Sequence, residues 1–325
     1  MRRRAFVTGA SGFVGANLAR HLLAEGHEVH VALRAGHKPW RLTEITKEIT
    51  THGADVEDVD AMANAIAGAR PDWIFHLAAY GAYPEQRDFE RMVATNIRGT
   101  ANLLAAAQDH GFEAFVNAGT SSEYGYKDHA PSEIEALEPN SHYAVTKAAA
   151  THLCTMTAQK LDLPVRTLRL YSAYGPYEEP TRLVPKLIVE GLEGRLPPLA
   201  NPDIARDYVY VEDVCAAFVL AAATPGQPPG VVYNVGTGVQ TPLRDIVAVA
   251  RRLLALEVEP SWGSMEKRAW DTEVWVADPA RIKGALGWTP RHDLDAGLTQ
   301  TIDWFKLRPG RIDLYRAAQE APAHS

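Results

Sequence analysis

Two side chains one helical turn apart have the chemistry of a proton-transfer pair. Tyr143 and Lys147, in the segment YAVTK, fall on the same face of a predicted helix. A free tyrosine has a pKa near ~10, but an adjacent ammonium and a positively charged nicotinamide both favour its phenolate. We therefore expect a lowered pKa and a phenol that exchanges a proton with an alcohol during hydride transfer. The spacing alone is weak evidence, because any helix can carry it.

A hydroxyl-rich segment gives this pair a context. Thr120-Ser-Ser-Glu-Tyr-Gly125 follows a predicted strand directly. The carboxyl ends of strands are where open α/β sheets bind ligands, so Thr120 is expected to address the same substrate oxygen as Tyr143. The alternative is simple capping of the strand end, which is common for Ser and Thr.

A glycine-rich turn near the start of the chain is typical of a dinucleotide site. Its residues are Gly9, Ala10, Ser11, Gly12, Phe13, Val14 and Gly15. Glycines let the backbone approach a pyrophosphate, and the following helix offers it unpaired N–H groups. The spacing is G-x-x-G-x-x-G and differs from the common G-x-G-x-x-G, so a plain strand–helix turn is the alternative.

The end of the second predicted strand indicates which cofactor is used. An acidic residue there binds the ribose of NAD, whereas a basic residue accommodates the 2′-phosphate of NADP. This chain has Leu33 and Arg34, with Arg41 nearby and no carboxylate. The pattern favours NADP(H), with NAD possible, unless Arg34 is only a solvated surface residue.

The hydrophobic pattern predicts alternating strands and helices. Predicted strands are Arg4–Thr8, Glu28–Leu33, Ile49–His52, Asp72–His76, Ala114–Ala118, Val165–Leu170 and Val231–Asn234. Predicted helices are Gly12–Glu25, Val59–Ala67, Phe89–His110, Tyr143–Leu161, Leu183–Glu193 and Val211–Ala223. This order predicts an α/β fold of the Rossmann type, a doubly wound parallel sheet. Proline and glycine become frequent from Pro176 onward, which predicts a smaller, partly interleaved C-terminal substrate lobe.

The expected domain division follows from the greater frequency of proline and glycine in the second half of the chain. Residues 1–171, with about 208–235, form the predicted dinucleotide-binding domain. Residues 172–207 and 236–325 form the predicted substrate lobe.

Composition excludes several other classes of protein. The chain has 325 residues, a formal net charge of -7 and no basic cluster beyond three N-terminal arginines, which argues against nucleic-acid binding. No apolar stretch is long enough for a membrane span. The two cysteines, Cys154 and Cys215, lie in apolar helical patterns without metal-ligand spacing, so we expect no metal and a reducing cytoplasm.

Seven motifs, taken together, carry a specific resemblance. They are GASGFVG, HLAA (His76–Ala79), NIRGT (Asn96–Thr100), TSSEYG, YAVTK, RLYSAYGP (Arg169–Pro176) and RDYVYVEDV (Arg206–Val214). In this order they resemble the extended short-chain dehydrogenase/reductases, the NAD-dependent epimerase/dehydratase family of nucleotide-sugar enzymes. Nearly the whole chain is covered. Within the family the chain looks most similar to 4-ketoreductases such as the CDP-abequose/CDP-paratose synthase-like and dTDP-4-keto-6-deoxyglucose reductase-like proteins.

The resemblance implies roles for the matching positions. The implied catalytic residues are Thr120, Tyr143 and Lys147. The implied cofactor-binding residues are Gly9, Ser11, Gly12, Phe13, Val14, Gly15, Arg34, Asp55, Val56, Leu77, Ala78, Ala79, Tyr143, Lys147, Tyr171 and Ser172. The implied substrate-binding residues are Ser121, Ser122, Arg182 and Arg206, with a nucleotide-diphosphate sugar as partner. Either arginine could instead be a surface ion-pair partner.

One departure from the family patterns narrows the expected reaction. Sugar 4,6-dehydratases of this family carry acids directly after the threonine, where this chain has Ser121 and Ser122. Glu123 comes one residue later, and on an extended segment it would point to the opposite face. The resemblance then implies NADPH-dependent reduction of a 4-keto group, with an NAD-dependent 4-epimerase as the alternative. A non-catalytic cofactor-binding regulator is disfavoured by the intact Thr, Tyr and Lys.

Assembly is expected from two of the helices. The predicted helices Phe89–His110 and Tyr143–Leu161 carry apolar residues on more than one side: Leu103, Leu104, Ala107, Leu153 and Met156. In related enzymes the corresponding helices pair across a two-fold axis, so a homodimer is expected.

Overall fold

The computed structural model describes residues 1–36, 39–265 and 274–320. The strands are β1 (Arg4–Thr8), β2 (Glu28–Leu33), β3 (Ile49–Gly53), β4 (Trp73–His76), β5 (Ala114–Thr120), β6 (Val165–Leu170), β7 (Ser172–Tyr174), β8 (Ala205–Arg206), β9 (Tyr208–Tyr210), β10 (Val231–Val235) and β11 (Thr241–Pro242). The helices are α1 (Phe13–Ala24), α2 (Val59–Ala69), α3 (Phe89–Met92), α4 (Gly99–His110), α5 (His142–Leu161), α6 (Leu183–Gly191), α7 (Val211–Ala223), α8 (Leu243–Leu254), α9 (Ala280–Leu286), α10 (Leu294–Lys306) and α11 (Pro309–Glu320).

A seven-stranded parallel sheet forms the centre, with strand order β10-β6-β5-β4-β1-β2-β3. The chain runs outward from β1 to β3 and then returns to β4 on the other side of β1. The carboxyl ends of β1 and β4 therefore flank a topological switch point, where open α/β sheets bind ligands. The predicted Rossmann-type α/β fold is confirmed.

Alternating side chains along the strands build one core on each face of the sheet. Phe6 and Ile74 face α2, α4 and α5, while their neighbours Val7 and Phe75 face α1 and α7. The two cysteines are buried free thiols, one in each core. The buried strands thus account for the near-continuous apolar runs in the first half of the sequence.

A smaller lobe follows the sheet and has its own core. β7 pairs with β9, β8 pairs with β11, and α6, α8, α10 and α11 pack around them. Its largest buried members are Tyr174, Leu187, Ile188, Tyr210, Ile246, Phe305 and Tyr315. Between these segments α7 and β10 return to the main sheet, so the lobe is interleaved, as the sequence predicts.

Several elements depart from the expected ones, among them the short strands β7, β8 and β9, which are not predicted. The predicted helix over 89–110 contains a wider π-helical turn, Val93–Arg98, between α3 and α4. In addition, no element is predicted after Asn234, where the structure has β11 and α8 to α11. Within residues 1–36, 39–265 and 274–320, no helix has the length and apolarity that a membrane crossing needs.

The expected dimer face also changes. Leu103, Leu104 and Ala107 are fully buried within the chain, so their apolar positions serve its own core. On α5, Met156 is 52% exposed and Val145 is 46% exposed. Among the described residues of the two helices, the exposed large apolar side chains thus lie mostly on α5, with Phe89 of α3 42% exposed.

Candidate active site

The glycine turn after β1 is set by steric limits. Gly9 has a φ of +69°, and a Cβ on it would lie 2.5 Å from the carbonyl carbon of Leu77. A Cβ on Gly15 would lie 2.3 Å from the carbonyl oxygen of Gly9. Only glycine fits either position, because the start of α1 lies directly against the turn and the end of β4. The structure thus brings Gly9, Gly15, Leu77 and Ala78 together.

The start of α1 has the features of an anion site. Its N-cap is Gly12, which has no side chain to accept a hydrogen bond from the first turn. Phe13 and Val14, which open the helix, pack against the core and fix its direction. The first-turn N–H groups and the positive end of the helix dipole therefore face the turn, an arrangement that suits a pyrophosphate.

A cleft of about 540 Å³ lies at the ends of β2 and β3. Its lining residues are Arg34, Ala35, Gly36, Gly53, Ala54, Asp55, Asp58 and Ala61. The carboxylates of Asp55 and Asp58 accept backbone hydrogen bonds from Glu57 and Ala61. Arg34 is exposed and makes no hydrogen bond or ion pair with the residues that the structure describes. Its guanidinium can therefore meet a ligand.

Arg41, the second arginine after β2, has a different role. It is buried, donates from Nε to the Tyr177 carbonyl oxygen at 2.7 Å, and pairs with Glu179 at 3.0 Å. A more distant contact, 3.4 Å, joins it to the carbonyl oxygen of Ser11. Arg41 thus ties the cofactor side of the molecule to the smaller lobe and is not in the cleft.

A buried histidine supports the segment after β4. His76 lies between the hydroxyls of Thr8, at 2.8 Å, and Thr100, at 2.9 Å. Burial, and next the charge of Lys147, lower the pKa of His76 to about 3, so its ring is neutral. Thr8 Oγ1 also accepts from the backbone N–H of Ala78. The ring and the two hydroxyls therefore hold Leu77 to Ala79 in place, with Ala79 exposed.

The three predicted catalytic side chains meet at the end of β5. The Thr120 side chain lies close enough to Tyr143 to lower its pKa, against the larger effect of burial. Lys147, one turn further along α5, is buried and donates from Nζ to the Ala118 carbonyl oxygen at 2.7 Å. The arrangement places a phenol, a hydroxyl and an ammonium at one edge of the sheet.

The charge state of Tyr143 differs from the expectation. Burial raises its pKa and Glu123 raises it further, while the Thr120 side chain opposes them. Burial also lowers the pKa of Lys147. The direction for Tyr143 is opposite to the predicted one, because the protein's own charges do not offset the cost of burying a phenolate. In the chain alone, Tyr143 is a protonated phenol.

Glu123 lies on a turn of 3-10 helix, Ser121–Tyr124, and the expectation of an extended segment is wrong. Its carboxylate accepts from the backbone N–H of Thr120 at 2.9 Å, while Thr120 Oγ1 accepts from the backbone N–H of Ser122 at 3.2 Å. Together these contacts form a capping box. The sequence T-x-x-E is the signal that could have predicted this turn.

The second oxygen of Glu123 forms a fully buried ion pair. It lies 2.8 Å from Arg169 Nε on β6, and both side chains are nearly inaccessible. Arg169 also donates to Tyr124 Oη, which donates in turn to Asn234 on β10. This network joins the ends of β5, β6 and β10, and it removes Glu123 from any role as a free acid. The sequence alone does not predict this network.

Of the two predicted substrate arginines, Arg182 acts on Tyr143, and both act on Tyr208. Arg182 lies at the N-terminus of α6 and is half exposed. Burial raises the pKa of Tyr143, and the positive charge of Arg182 acts against this rise. Arg206 on β8 lies with its guanidinium carbon 5.4 Å from the Trp275 ring centroid. Burial raises the pKa of Tyr208 to about 12, and both arginines act against it. Both cations thus act on the same phenol, Tyr208.

The remaining predicted positions lie next to this edge. Ser121 is buried and Ser122 is partly buried, both in the turn after Thr120. Tyr171 follows β6, and its buried hydroxyl has no partner in the described part of the chain. Ser172 opens β7 and donates from its N–H to the Asp207 carbonyl oxygen. Val56 is buried behind Asp55, against Gly99.

This sheet, glycine turn and Thr–Tyr–Lys edge match a known family. The model of the NAD dependent epimerase/dehydratase family covers residues 5–236. The chain belongs to this family. Among curated members it is 31% identical to a dTDP-glucose 4,6-dehydratase of Streptomyces griseus, over 94% of both chains. It is 32% identical to a UDP-glucose 4-epimerase of Mycolicibacterium smegmatis, over 93% of this chain and 98% of the relative.

Solved structures of the family share the whole architecture. The UDP-glucose 4-epimerase of Thermotoga maritima, with UDP-glucose, superposes with a TM-score of 0.83 at 27% identity. It covers 93% of this chain and 98% of its own. The UDP-glucuronic acid 4-epimerase of Bacillus cereus, with UDP-glucuronic acid and NAD, gives 0.82 at 26% identity, over 93% and 99%. Both dehydratases and epimerases are therefore among the similar proteins.

The buried ion pair gives a stability prediction. Glu123→Gln keeps a side-chain oxygen for the capping box but leaves Arg169 buried without a counter-charge. We expect the free energy of unfolding in urea to fall by about 3–5 kcal/mol. The control is Asp295→Asn, which removes an exposed partner of Arg252 and is expected to cost at most about 1 kcal/mol. Equal, small losses in both variants would contradict a structural role for the pair.

Proposed function

We propose that this member of the family reduces the 4-keto group of a nucleotide-linked hexose or deoxyhexose with NADPH. The observation that carries the choice of cofactor is Arg34, whose exposed guanidinium lines the cleft at the end of β2. Leu33 occupies the position where an NAD enzyme would carry an acid. A guanidinium pairs well with a 2′-phosphate, whereas an acid would repel it.

The cofactor-binding roles inferred from the sequence fit the geometry. Gly9, Gly12 and Gly15 allow close approach of a pyrophosphate, and Arg34 and Asp55 line the cleft for the adenosine half. Ser11, Phe13, Val14, Val56, Leu77, Ala78, Ala79, Tyr171 and Ser172 complete the proposed set. We propose residues 1–171, with about 208–235, as the dinucleotide-binding domain and residues 172–207 and 236–325 as the substrate lobe, with Ser172 of the lobe also meeting the cofactor.

Tyr143 is the proposed proton donor. Burial keeps its phenol protonated, which suits a reduction, because the oxygen of a ketone needs a proton as it becomes an alcohol. Thr120 holds the same oxygen, and Lys147 stabilises the phenolate that the transfer leaves behind. A bound nicotinamide supplies the hydride. Tyr143 then regains its proton from water, which balances the reaction.

We propose that the protein binds its substrate through a nucleotide diphosphate group. Arg182 and Arg206 both act on Tyr208, and Arg182 also acts on the proton donor Tyr143. Guanidinium groups bind phosphates with charge-assisted hydrogen bonds. Ser121 and Ser122, next to Thr120, are placed for hydroxyl groups of the sugar. Elimination of water is not proposed, because serines replace the acids of the dehydratase pattern and Glu123 is paired with Arg169.

An NAD-dependent 4-epimerase is the second candidate. The UDP-glucose 4-epimerase of Mycolicibacterium smegmatis, 32% identical, and the NAD complex of the Bacillus cereus enzyme favour it. An epimerase retains its cofactor, whereas a reductase exchanges it at each turnover. NAD that stays bound through purification would therefore support the epimerase.

Removal of the phenolic hydroxyl tests the catalytic assignment. Tyr143→Phe should lower turnover by roughly 10²–10⁴-fold, the usual effect of losing a general acid. Circular dichroism should show an intact fold, and Tyr126→Phe, at an exposed tyrosine, should retain activity. Near-normal turnover of Tyr143→Phe would remove Tyr143 from the mechanism.

Cofactor selectivity tests the role of Arg34. Its charge-assisted contacts with the 2′-phosphate predict about ten- to a hundredfold tighter binding of NADPH than of NADH. Arg34→Ala should erase most of this preference and leave NADH affinity nearly unchanged, while Leu33→Asp should favour NADH. Fluorescence titration measures the six affinities, those of the three proteins for NADPH and for NADH. Equal or tighter NADH binding by the wild type would move the proposal to the epimerase.

We also propose a homodimer formed through α5. Val145 and Met156 are large apolar side chains left exposed on that helix, and isologous dimers are the commonest oligomers. Light scattering at micromolar concentration should give twice the chain mass, and Met156→Glu should give the monomer. A wild-type monomer at that concentration would contradict this assembly.

A further inference from the structure

Glu178 is a buried carboxyl group that the proposed mechanism leaves unused. It is 5% exposed, and its Oε2 has no hydrogen-bond partner among the described residues. Its Oε1 lies 3.8 Å from Arg182 Nε, too far for a direct hydrogen bond. Proteins seldom leave a buried polar atom unpaired, and such atoms often acquire a partner when a ligand binds.

The backbone before Glu178 is strained and held from the cofactor side. Tyr177 has a φ of +66°, an uncommon conformation for a bulky residue. Its carbonyl oxygen accepts from Arg41, its hydroxyl donates to Glu44, and Arg20 lies 3.9 Å over its ring. Three contacts therefore impose the turn that places Glu178, and strain of this kind is concentrated at functional positions.

The neighbours of Glu178 are those of the substrate side of the site. Burial is the main cause of the raised pKa of both Tyr83 and Tyr208. In both cases Glu178 raises the pKa further and Arg182 opposes it. Tyr83 and Arg182 also act on Tyr143, the proposed proton donor. Glu178 thus lies within the group of charges and phenols that surrounds the reacting position.

We propose that Glu178 is a sugar-recognition residue, whose unpartnered carboxyl oxygen forms a hydrogen bond with a hydroxyl group of the bound hexosyl moiety. The inference rests on the proposed function and names a specificity determinant within it. A hydroxyl suits this position better than a charged group. It can donate to or accept from a carboxyl group, and the neighbouring Arg182 already supplies a positive charge.

The protonation state of Glu178 sets the design of the variants. Burial raises its pKa to about 8, and Arg182 opposes this. Other titratable groups that act on it or respond to it are Arg41, Glu179, Tyr83, Tyr174, Tyr208 and Tyr315. At neutral pH the side chain is a neutral acid, which glutamine imitates in shape and polarity. Leucine fills similar space without any hydrogen bond.

Calorimetry with two ligand pairs isolates the contribution of the sugar. The pairs are UDP with UDP-glucose, and dTDP with dTDP-glucose. The ratio of affinities within a pair is the sugar increment. Glu178→Leu should reduce that increment about tenfold, the effect of one lost hydrogen bond. Glu178→Gln should keep it, and both variants should bind the nucleotide alone as the wild type does. Glu190→Leu, on the neighbouring helix, is the control for loss of a glutamate.

The outcomes separate the inference from the proposed function. If the wild type shows no sugar increment, or if the sugar increment is unchanged in Glu178→Leu, the inference is overturned but the proposed function is not. Equal weakening of the nucleotide and the nucleotide sugar also overturns it, because Glu178 would then act through Arg182. A wild-type chain that binds none of the four probes overturns the proposed function and the inference with it.

Thermal stability provides a readout that needs no substrate. The folded-state pKa of Glu178, about 8, lies above the ordinary value of 4.5. The folded chain therefore binds the proton more tightly, and this group reduces stability as the pH rises from 4.5 to 8. Glu178→Gln should raise the melting temperature at pH 8 and change it little near pH 4.5. A lower melting temperature at pH 8 would show that the carboxylate has a structural partner and overturn the inference.

Discussion

The ion pair between Glu123 and Arg169 is the interaction on which the arrangement of Thr120, Tyr143 and Lys147 depends. Two charges removed from water are costly, and the cost is offset only when each remaining polar atom has a partner. Here Glu123 also accepts from Thr120 and Thr151, and Arg169 also donates to Tyr124. The pair thereby fixes the turn that directs Thr120 to Tyr143. Burial is the main cause of the raised pKa of Tyr143, and the negative charge of Glu123 raises it further. One residue thus influences both the geometry of the turn and the protonation of the phenol.

The cofactor side is organised by a different kind of constraint. The absence of Cβ atoms at Gly9 and Gly15 lets β1, α1 and the end of β4 approach closely. Neutral His76 then holds the segment after β4 through two threonines. The close packing at Gly9 and Gly15 and the buried hydrogen bonds of His76 therefore act at the same edge of the sheet. The strained turn at Tyr177, clamped by Arg20 and Arg41, connects that edge to the smaller lobe.

The sheet could be predicted from the sequence because most of its strands are short apolar runs that alternate with amphipathic segments of helix length. Contacts between residues that are distant in sequence could not be predicted. The three wrong expectations that follow each involve such a contact. Arg41 looks like a partner of Arg34 in the sequence, but it is buried against Tyr177 and Glu179. Leu103 and Leu104 look like an interface and instead fill the core. The expectation of an extended segment at Glu123 is wrong although T-x-x-E signals a capped turn, and the partner that buries Glu123, Arg169, is far away in sequence.

Similar proteins of this family are named dehydratases and epimerases. The positions that we propose to decide the reaction in this chain are the serines after Thr120, the residues Leu33 and Arg34, and Tyr143. The most direct measurement of the account is the fate of hydride. With a nucleotide-linked 4-keto-6-deoxyhexose and NADPH deuterated at the transferred position, mass spectrometry should find one deuterium at carbon 4 of the sugar and one equivalent of NADP⁺. A 4-epimerised nucleotide sugar without label, formed with no consumption of NADPH, would contradict it.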